Sequence, residues 1–156
     1  MRVALLGNLC NTAYTFAKGL RDAGIDAHVY ITQRERGQLA ASPEWEDPEL
    51  RGVRVPWIHY YHDRSPLLLG TLSELRQYDL IHAFGMSAVY CQFLGRPFIA
   101  HALGADLKEV AYEDGVRGRL LRRAFRRAAR FFFSDLDHYG DADIVKPKRG
   151  EFFPPP

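Results

Sequence analysis

The feature that most constrains the fold is the regular alternation of short apolar runs with segments of helical periodicity. The run RVALLG, residues 2–7, is bounded by a glycine, as is typical of a strand covered on both faces. Asn11 can then cap a helix that ends at Gly24, and its apolar residues recur at the spacing of one helix face: Ala13, Phe16, Ala17 and Leu20. The run DAHVYI, residues 26–31, returns to the strand period, so a right-handed βαβ unit with parallel strands is predicted.

The rest of the chain continues this alternation. Residues 32–54 are polar, and Pro43 and Pro48 exclude a long regular element, so we predict a surface loop with a short strand near GVRVPWI, residues 52–58. The further predicted elements are a helix at 67–78, a strand at 79–84, a short helix at 86–94, a strand at 97–103, an arginine-rich helix and a last strand at 130–135. The predicted fold class is therefore α/β: a doubly wound, mostly parallel, Rossmann-like sheet in a single domain.

Composition narrows the function classes. A chain of 156 residues that is 47% hydrophobic is long enough for one core, and a net charge of +2 is too small to argue for nucleic acid. Two cysteines, Cys10 and Cys91, are too few for a disulfide framework and suit a reducing compartment. No window approaches ~18 apolar residues, so we expect a cytoplasmic protein without a membrane span.

Three glycine-bearing loops are the candidate sites, because ligands of a doubly wound sheet lie beyond the carboxyl ends of its strands. The first contains Gly7, Asn8 and Asn11 and precedes the N-terminus of a helix. Backbone N–H groups and the helix dipole would favour a phosphate or carboxylate there. The same residues are equally consistent with an ordinary strand-to-helix turn capped by Asn11.

The second and third loops follow histidine-bearing strands. His82 lies inside an apolar run before Gly85, which favours a core or sheet-end imidazole over a ligand-binding one. In the third, Gly104 would let a substrate approach the backbone, and Asp106 either caps the next helix or accepts a substrate hydroxyl. His101, on the strand before that turn, is the candidate catalytic residue.

Several familiar chemistries lack their motifs. The chain has no G-x-G-x-x-G and no G-x-x-x-x-G-K-[ST], and the second strand ends without an acidic residue for a ribose, so we expect no cofactor in this chain. His59, His62 and Asp63 stand close together, but no second group of ligands accompanies them, and no metal is expected. No histidine or other base stands at a characteristic spacing from Cys10, which argues against a catalytic thiol.

Residues 117–130, RGRLLRRAFRRAAR, contain seven arginines in fourteen positions. A helical wheel places five apolar residues on one side: Leu120, Leu121, Ala124, Phe125 and Ala128. It places six arginines on the other: Arg119, Arg122, Arg123, Arg126, Arg127 and Arg130. This basic face is either the solvated side of a crossover helix or a surface for anionic lipid. Nucleic acid is disfavoured because no aromatic residues interleave with the arginines.

Taken in order, a set of segments resembles the N-terminal half of a family 4 glycosyltransferase with the GT-B fold: RVALLG, RDAG, DLIHAFG, PFIAHALGADLKEVA, RRAARFFFSD and FFPPP. The resemblance covers essentially the whole chain and is least specific at 32–78. It implies two Rossmann-like domains that face each other across a cleft, the N-terminal one holding the acceptor and the C-terminal one the nucleotide-sugar donor. Residues 7–11 would then line the cleft near the donor phosphates, and the turn at 104–107 would lie on the acceptor side. Where the family often has a histidine before the turn glycine, this chain has Leu103.

The donor-side part of that family is expected to be absent. No two glutamates stand eight positions apart, as the family's E-x7-E pair would, and the final prolines are typical of a stiff connection. We expect residues 1–150 to form the acceptor-side domain and residues 151–156 to begin an interdomain linker, without the C-terminal donor domain.

The predicted function is the acceptor-binding half of a nucleotide-sugar-dependent glycosyltransferase, inactive by itself. Its expected partners are a sugar or lipid-linked acceptor, the C-terminal domain of the same full-length protein and an anionic membrane surface. The expected location is the cytoplasm or the periphery of the inner membrane face. The alternative is a stand-alone α/β binding or scaffold module without catalysis.

Overall fold

The computed structural model describes residues 1–34, 42–63, 67–134, 145 and 150–152. The chain divides into two compact units, residues 1–80 and 81–155. Each is built from parallel strands and helices that alternate along the sequence.

In the first unit the strands are β1 (Arg2–Leu6), β2 (Asp26–Thr32) and β3 (Ile58–Tyr61), in the order β3-β2-β1. The helices are α1 (Thr12–Asp22), α2 (Pro43–Glu46) and α3 (Leu67–Leu75), with short 3-10 turns at Leu9–Asn11 and Pro48–Leu50. Leu5 pairs with Val29, and Val29 with Ile58, in parallel register.

In the second unit the strands are β4 (Leu80–Phe84), β5 (Ile99–Ala102), β6 (Arg130–Phe133) and β7 (Gly150–Phe152), in that order. The helices are α4 (Ala88–Cys91), α5 (Ala105–Lys108) and α6 (Val116–Arg127). Two 3-10 turns, Gly85–Ser87 and Val110–Tyr112, precede α4 and α6.

Helix α1 shows how local sequence makes these elements. It buries Ala13, Tyr14 and Ala17, while Phe16 and Leu20 of the predicted apolar face are only half-buried. The helix ends before Gly24, whose positive φ of 81° is easy only for glycine. Strand β1 has four consecutive buried residues, as expected for a strand covered on both faces.

The predicted fold class is confirmed: parallel strands and helices form a doubly wound, Rossmann-like α/β fold. The short strand predicted near residues 52–58 is β3, which starts only at Ile58, because Gly52 has a positive φ, a turn occupies Pro56 and Trp57, and pairing with β2 begins at Ile58. Strand β7 was not predicted, and two of its residues, 151 and 152, lie in the predicted linker.

The predicted arginine helix is also too long. It ends at Arg127, although no glycine or proline stops it there. The cause is sheet pairing: the Ala129 N–H donates to the Phe98 carbonyl at 2.9 Å, and Arg130 pairs with Ile99 in β5. Arg130 is therefore the first residue of β6 and no part of the helical basic face.

Candidate functional site

The loop after β1 is held together by buried asparagines. The Asn8 side chain is fully buried, and its Oδ1 accepts a hydrogen bond from the backbone N–H of Tyr14 at 2.8 Å. Its Nδ2 donates to Oδ1 of Asn11 at 2.8 Å, and Cys10 and Asn11 both have positive φ angles near 54°. Asn11 holds the predicted N-cap position of α1, but its side chain makes no capping bond, and Asn8 supplies the side-chain bond to the first turn.

This arrangement changes what the first loop offers a ligand. The Thr12 N–H donates to the Leu9 carbonyl and the Tyr14 N–H to Asn8, so these first-turn donors of α1 are already used. The Gly7 N–H donates to the Tyr30 carbonyl at 2.8 Å. The geometry therefore favours the strand-to-helix turn, and anion binding at Gly7, Asn8 and Asn11 stays a prediction.

The segment around α2 is tied to this loop and to α1. Asn11 Nδ2 donates to the Ser42 carbonyl at 2.9 Å, and the Tyr14 hydroxyl donates to Asp47. Lys18 Nζ lies 2.7 Å from Asp47 Oδ2. The bonds from Lys18 and Tyr14 lower the pKa of Asp47, whereas burial and the neighbouring carboxylate raise the pKa of Tyr14.

In the second unit, an imidazole row runs across β4 and β5 on one face of the sheet. Register pairs Phe84 with His101 and His101 with Phe132, so these rings share a face. The His82 and His101 rings stack at 5.4 Å with an interplanar angle of 9°, and His101 Nε2 lies 2.5 Å from Ser134 Oγ. His101 is fully buried, so its side chain packs within the row of rings and does not reach solvent.

Both imidazoles of the row are held neutral. Burial lowers the pKa of His101 to about 4, and burial together with the nearby His101 lowers the pKa of His82 to about 3. A group that is already unprotonated at neutral pH cannot donate a proton as a general acid. This excludes a general-acid role for His101 at neutral pH, and a catalytic role of another kind stays a prediction.

The glycines and the carboxylate of the second and third loops come together. Gly85 (φ 54°) and Gly104 (φ 137°) both have backbone angles that L side chains rarely adopt. A Cβ at Gly85 would lie 3.5 Å from Asp106 Oδ2, and Asp106 Oδ1 accepts a hydrogen bond from the Leu103 N–H at 3.0 Å. Asp106 thus sits in the first turn of α5, while Gly104 takes the N-cap position that had been considered for it.

The loop that follows this turn is fastened to α6. Gly118 packs so closely that an added Cβ would overlap the Glu113 carbonyl oxygen and lie 2.7 Å from that of Val110. Arg122 Nη1 donates to the carbonyls of Ala111, at 2.5 Å, and Glu113, at 3.0 Å. The helix therefore fixes the position of the chain just after Asp106.

The basic face divides into bound and solvent-facing arginines. Arg122 is half-buried and bonded to backbone, and Arg126 Nε donates to the Val145 carbonyl at 2.9 Å. Arg119, Arg123 and Arg127 are exposed on α6, and Arg130 is exposed on β6. Leu121, Ala124, Phe125 and Ala128 are buried, as the wheel predicts, whereas Leu120 is only half-buried.

The remaining sequence candidates do not converge. His62 is exposed, Asp63 pairs with Arg34 at 3.2 Å, and His59 turns to His28 at 2.8 Å. Among the described residues no group of three or more histidine, cysteine or acidic side chains could hold a metal, and Cys10 is an exposed free thiol. None of the described helices has the length and apolar character to cross a membrane.

Sequence reasoning missed a cluster at the amino end of β2. Asp26 Oδ1 lies 3.0 Å from His28 Nε2, and the His28 and His59 rings stack at 5.1 Å. The alternation of Asp26, His28 and Tyr30 was the available signal, because every second strand residue points to the same face.

The sequence match that identifies the family covers most of this geometry. The profile of the glycosyl transferase 4-like domain matches residues 11–139. The chain belongs to this family. The match contains β2 to β6 and the turns at Gly85, Gly104 and Asp106, and it confirms the resemblance to the N-terminal domain of a family 4 glycosyltransferase. No curated protein matches the chain.

Proposed function

We propose that this glycosyl transferase 4-like domain is the acceptor-binding half of a nucleotide-sugar-dependent glycosyltransferase of GT-B type. The observation that carries the proposal is the family match across residues 11–139, which includes the turn where Gly85 and Gly104 flank Asp106. These glycines let a substrate approach the backbone closely, and a carboxylate accepts several hydrogen bonds. Asp106 would therefore bind and orient an acceptor hydroxyl.

The chemistry requires more than this turn. Sugar transfer needs a donor held against the acceptor, exclusion of water and groups that stabilise the departing diphosphate. The neutral His82 and His101 carry no charge for that purpose, and the solvent-facing arginines lie on α6 and β6. The nucleotide sugar and the diphosphate-binding groups would belong to a second domain, so the 156 residues alone would transfer little or no sugar.

The first experiment is to sequence the gene past the codon for Pro156 and to assay the extended protein for sugar transfer. We expect a second α/β domain with two glutamates eight positions apart. In that protein, Asp106→Asn should lower kcat/KM for the acceptor by about tenfold or more, since hydrogen bonds to charged groups are the stronger ones. The matched control is Asp114→Asn, which removes the same charge from an exposed loop residue.

Two results would overturn the proposal. One is full transfer activity of the isolated 156 residues. The other is an extended protein in which Asp106→Asn and Asp114→Asn behave alike. A stop codon after Pro156 would instead favour the alternative of a stand-alone binding module.

We also propose that the exposed arginines of α6 bind an anionic membrane surface, which would suit a lipid-linked acceptor and a peripheral location at the inner membrane face. Arg119, Arg123 and Arg127 are spaced four positions apart on one side of the helix, and the exposed Val116, three positions before Arg119, continues that side. Exposed basic residues near an acidic bilayer contribute about 1 kcal/mol each. An exposed valine adds a small apolar contact.

Flotation with vesicles of neutral or phosphatidylserine-containing composition tests the membrane proposal. Binding should require the acidic lipid and fall with salt. It should be lost when Arg119, Arg123 and Arg127 become serine, and kept when the exposed Arg34, Arg51 and Arg76 do. If the two triple variants lose vesicle binding equally, binding depends on net charge alone, and the proposal of a specific surface on α6 is rejected.

A further inference from the structure

A cavity opens beside β3 in the first unit. It has a volume of about 590 Å³, within the range of small-molecule sites, and Gly7, Asn8 and Asn11 take no part in its lining. Residues of β2, β3, α3 and the segment 43–55 form its walls. The cavity is therefore separate from the loop that follows β1.

One wall is a fixed aromatic surface. Tyr30 and His59 stack with ring centroids 4.7 Å apart and an interplanar angle of 20°. The Tyr30 hydroxyl donates to Glu74 Oε1 at 2.7 Å and lies 3.0 Å from the Tyr78 hydroxyl. Because both ends of this stack are bonded, the wall keeps its shape when the cavity is empty.

The hydrogen-bond chain behind His59 defines which nitrogen can face a ligand. Asp26, a carboxylate, can only accept, so His28 donates to it from Nε2, and His28 Nδ1 lies 2.8 Å from His59 Nε2. Burial, with the nearby His28, lowers the pKa of His59 and favours its neutral form. His59 Nδ1 has no hydrogen-bond partner within the described part of the chain, and it accepts or donates a hydrogen bond according to the tautomer of the ring.

The other polar groups of the cavity supply both donors and acceptors. The Thr71 hydroxyl and the Arg54 guanidinium make no hydrogen bond to any described residue. Glu74 accepts one bond from Tyr30, and Glu44 one from Ser42, out of roughly four that each carboxylate can accept. Several hydrogen-bonding positions thus remain around one flat wall.

We propose that this cavity is a binding site for a neutral, polyhydroxylated molecule of about monosaccharide size. Hydroxyl groups both donate and accept, which matches the mixture of Glu44, Glu74, Thr71 and Arg54, while the half-buried His59 ring, supported by the buried Tyr30, would pack against the C–H groups of a sugar ring. Two carboxylates against one guanidinium disfavour an anionic ligand. The inference goes beyond the proposed function, because it concerns a site apart from the strand-end turn and requires no sugar transfer.

The test is an NMR titration of the 156-residue chain with glucose, N-acetylglucosamine and inositol as neutral probes and with glucose 6-phosphate as the anionic probe. We expect saturable shifts of the Val53, Val55 and Thr71 methyl signals with at least one neutral probe, and weaker binding of glucose 6-phosphate. Thr71→Val and Glu74→Gln should each weaken binding by at least about fivefold, since the first removes a hydroxyl and the second replaces an acceptor oxygen by a donor amide, while both keep the shape.

The matched control is Glu49→Gln. Glu49 is an exposed residue of the segment 43–55 that does not line the cavity, so the change removes the same charge outside the site. Absence of shifts with every neutral probe, tighter binding of glucose 6-phosphate, or equal effects of Glu74→Gln and Glu49→Gln would each overturn the inference. The titration contains no donor sugar, so its outcome does not depend on the transferase proposal. Failure of the extended protein to transfer sugar would leave it intact.

Discussion

Each unit contains one stacked pair of histidines on a parallel sheet, and the two pairs differ in their surroundings. His28 and His59 stack at 5.1 Å, are joined by a hydrogen bond and are half-buried beside a carboxylate. His82 and His101 stack at 5.4 Å among phenylalanines, and His101 is fully buried. The same ring geometry therefore serves a polar chain in one unit and an apolar core in the other.

The contrast extends beyond the histidines. The first unit is fastened by buried or half-buried polar groups, such as Asn8 with Asn11 and Tyr14 with Asp47. The second relies on ring packing and on a close backbone approach at Gly118. Acid should therefore weaken the second pair most, steric changes should disturb the second unit, and loss of single polar groups should disturb the first.

The largest expected effect is the acid sensitivity of the second pair. The folded-state pKa values of His82 and His101, about 3 and about 4, lie below the unfolded value near 6.5. Their unprotonated state is favourable above pH 6.5, and stability is lost as the pH falls from there toward 4. Two such groups would cost about 5 kcal/mol between pH 6.5 and 4.5, at about 1.4 kcal/mol per unit each.

Denaturant unfolding at a series of pH values measures this slope. The double variant His82→Phe, His101→Phe should flatten it strongly, whereas His28→Phe, His59→Phe should flatten it less, because that pair is half-buried and hydrogen-bonded. His62→Phe, at an exposed position, is the control. Equal flattening by the two double variants would remove the distinction between the pairs.

The next effect sharpens the steric half of the comparison. Gly118→Ala should destabilise the chain by about 3 kcal/mol, because the added methyl meets the backbone of Glu113 and Val110. Gly19→Ala in α1 meets no atom within 4 Å and should stabilise by about 0.5–1 kcal/mol through helix propensity. Thermal or urea unfolding of both variants measures these changes in stability. If Gly118→Ala is as stable as the unchanged protein, α6 can shift to make room for the methyl group.

A smaller effect is expected from the polar half. Asn8→Ala leaves the Tyr14 N–H and the Asn11 amide oxygen without their buried partner, which should cost about 2 kcal/mol. The control is Gln77→Ala, an exposed amide in the same unit, which should change stability by less than about 0.5 kcal/mol. Urea unfolding of the two variants provides the comparison, and similar values would deny the asparagine pair its structural role.

Much of the fold could be predicted because apolar runs and helical periods carry it. The strands containing Val29, His82 and His101 lie where the pattern indicates, since buried parallel strands need continuous apolar sequence. The last strand starts at Arg130 as predicted, but the end of α6 at Arg127 could not be predicted, because it depends on the pairing of Arg130 with Ile99 and no local residue marks it. The start of β3 at Ile58 likewise depends on its partner in β2.

The candidate site was predictable at its turns and not in its contacts. Gly85, Gly104 and Asp106 follow apolar runs in the sequence and so mark turns after strands, and Gly85 and Asp106 do lie close together. The inward bonds of Arg122 were hidden, because a helical wheel separates faces but cannot show which arginine finds a backbone carbonyl. The cavity beside His59 was hidden for the same reason, since its walls come from segments far apart in sequence.

The smallest predicted effect concerns Asp47, and it tests how much its hydrogen bond from Tyr14 and its ion pair with Lys18 each contribute to the stability of the first unit. Tyr14→Phe keeps the ring that stacks on Trp57 at 5.5 Å and removes only the hydroxyl bonded to Asp47, which should cost about 1 kcal/mol. Lys18→Met removes the other partner of Asp47 but acts through an exposed ion pair, so its effect should be smaller and should vanish in concentrated salt. Urea unfolding at low and high salt separates the two. If Tyr14→Phe proves as salt-sensitive as Lys18→Met, Asp47 acts through its charge alone, and only the buried asparagines distinguish the first unit from the second.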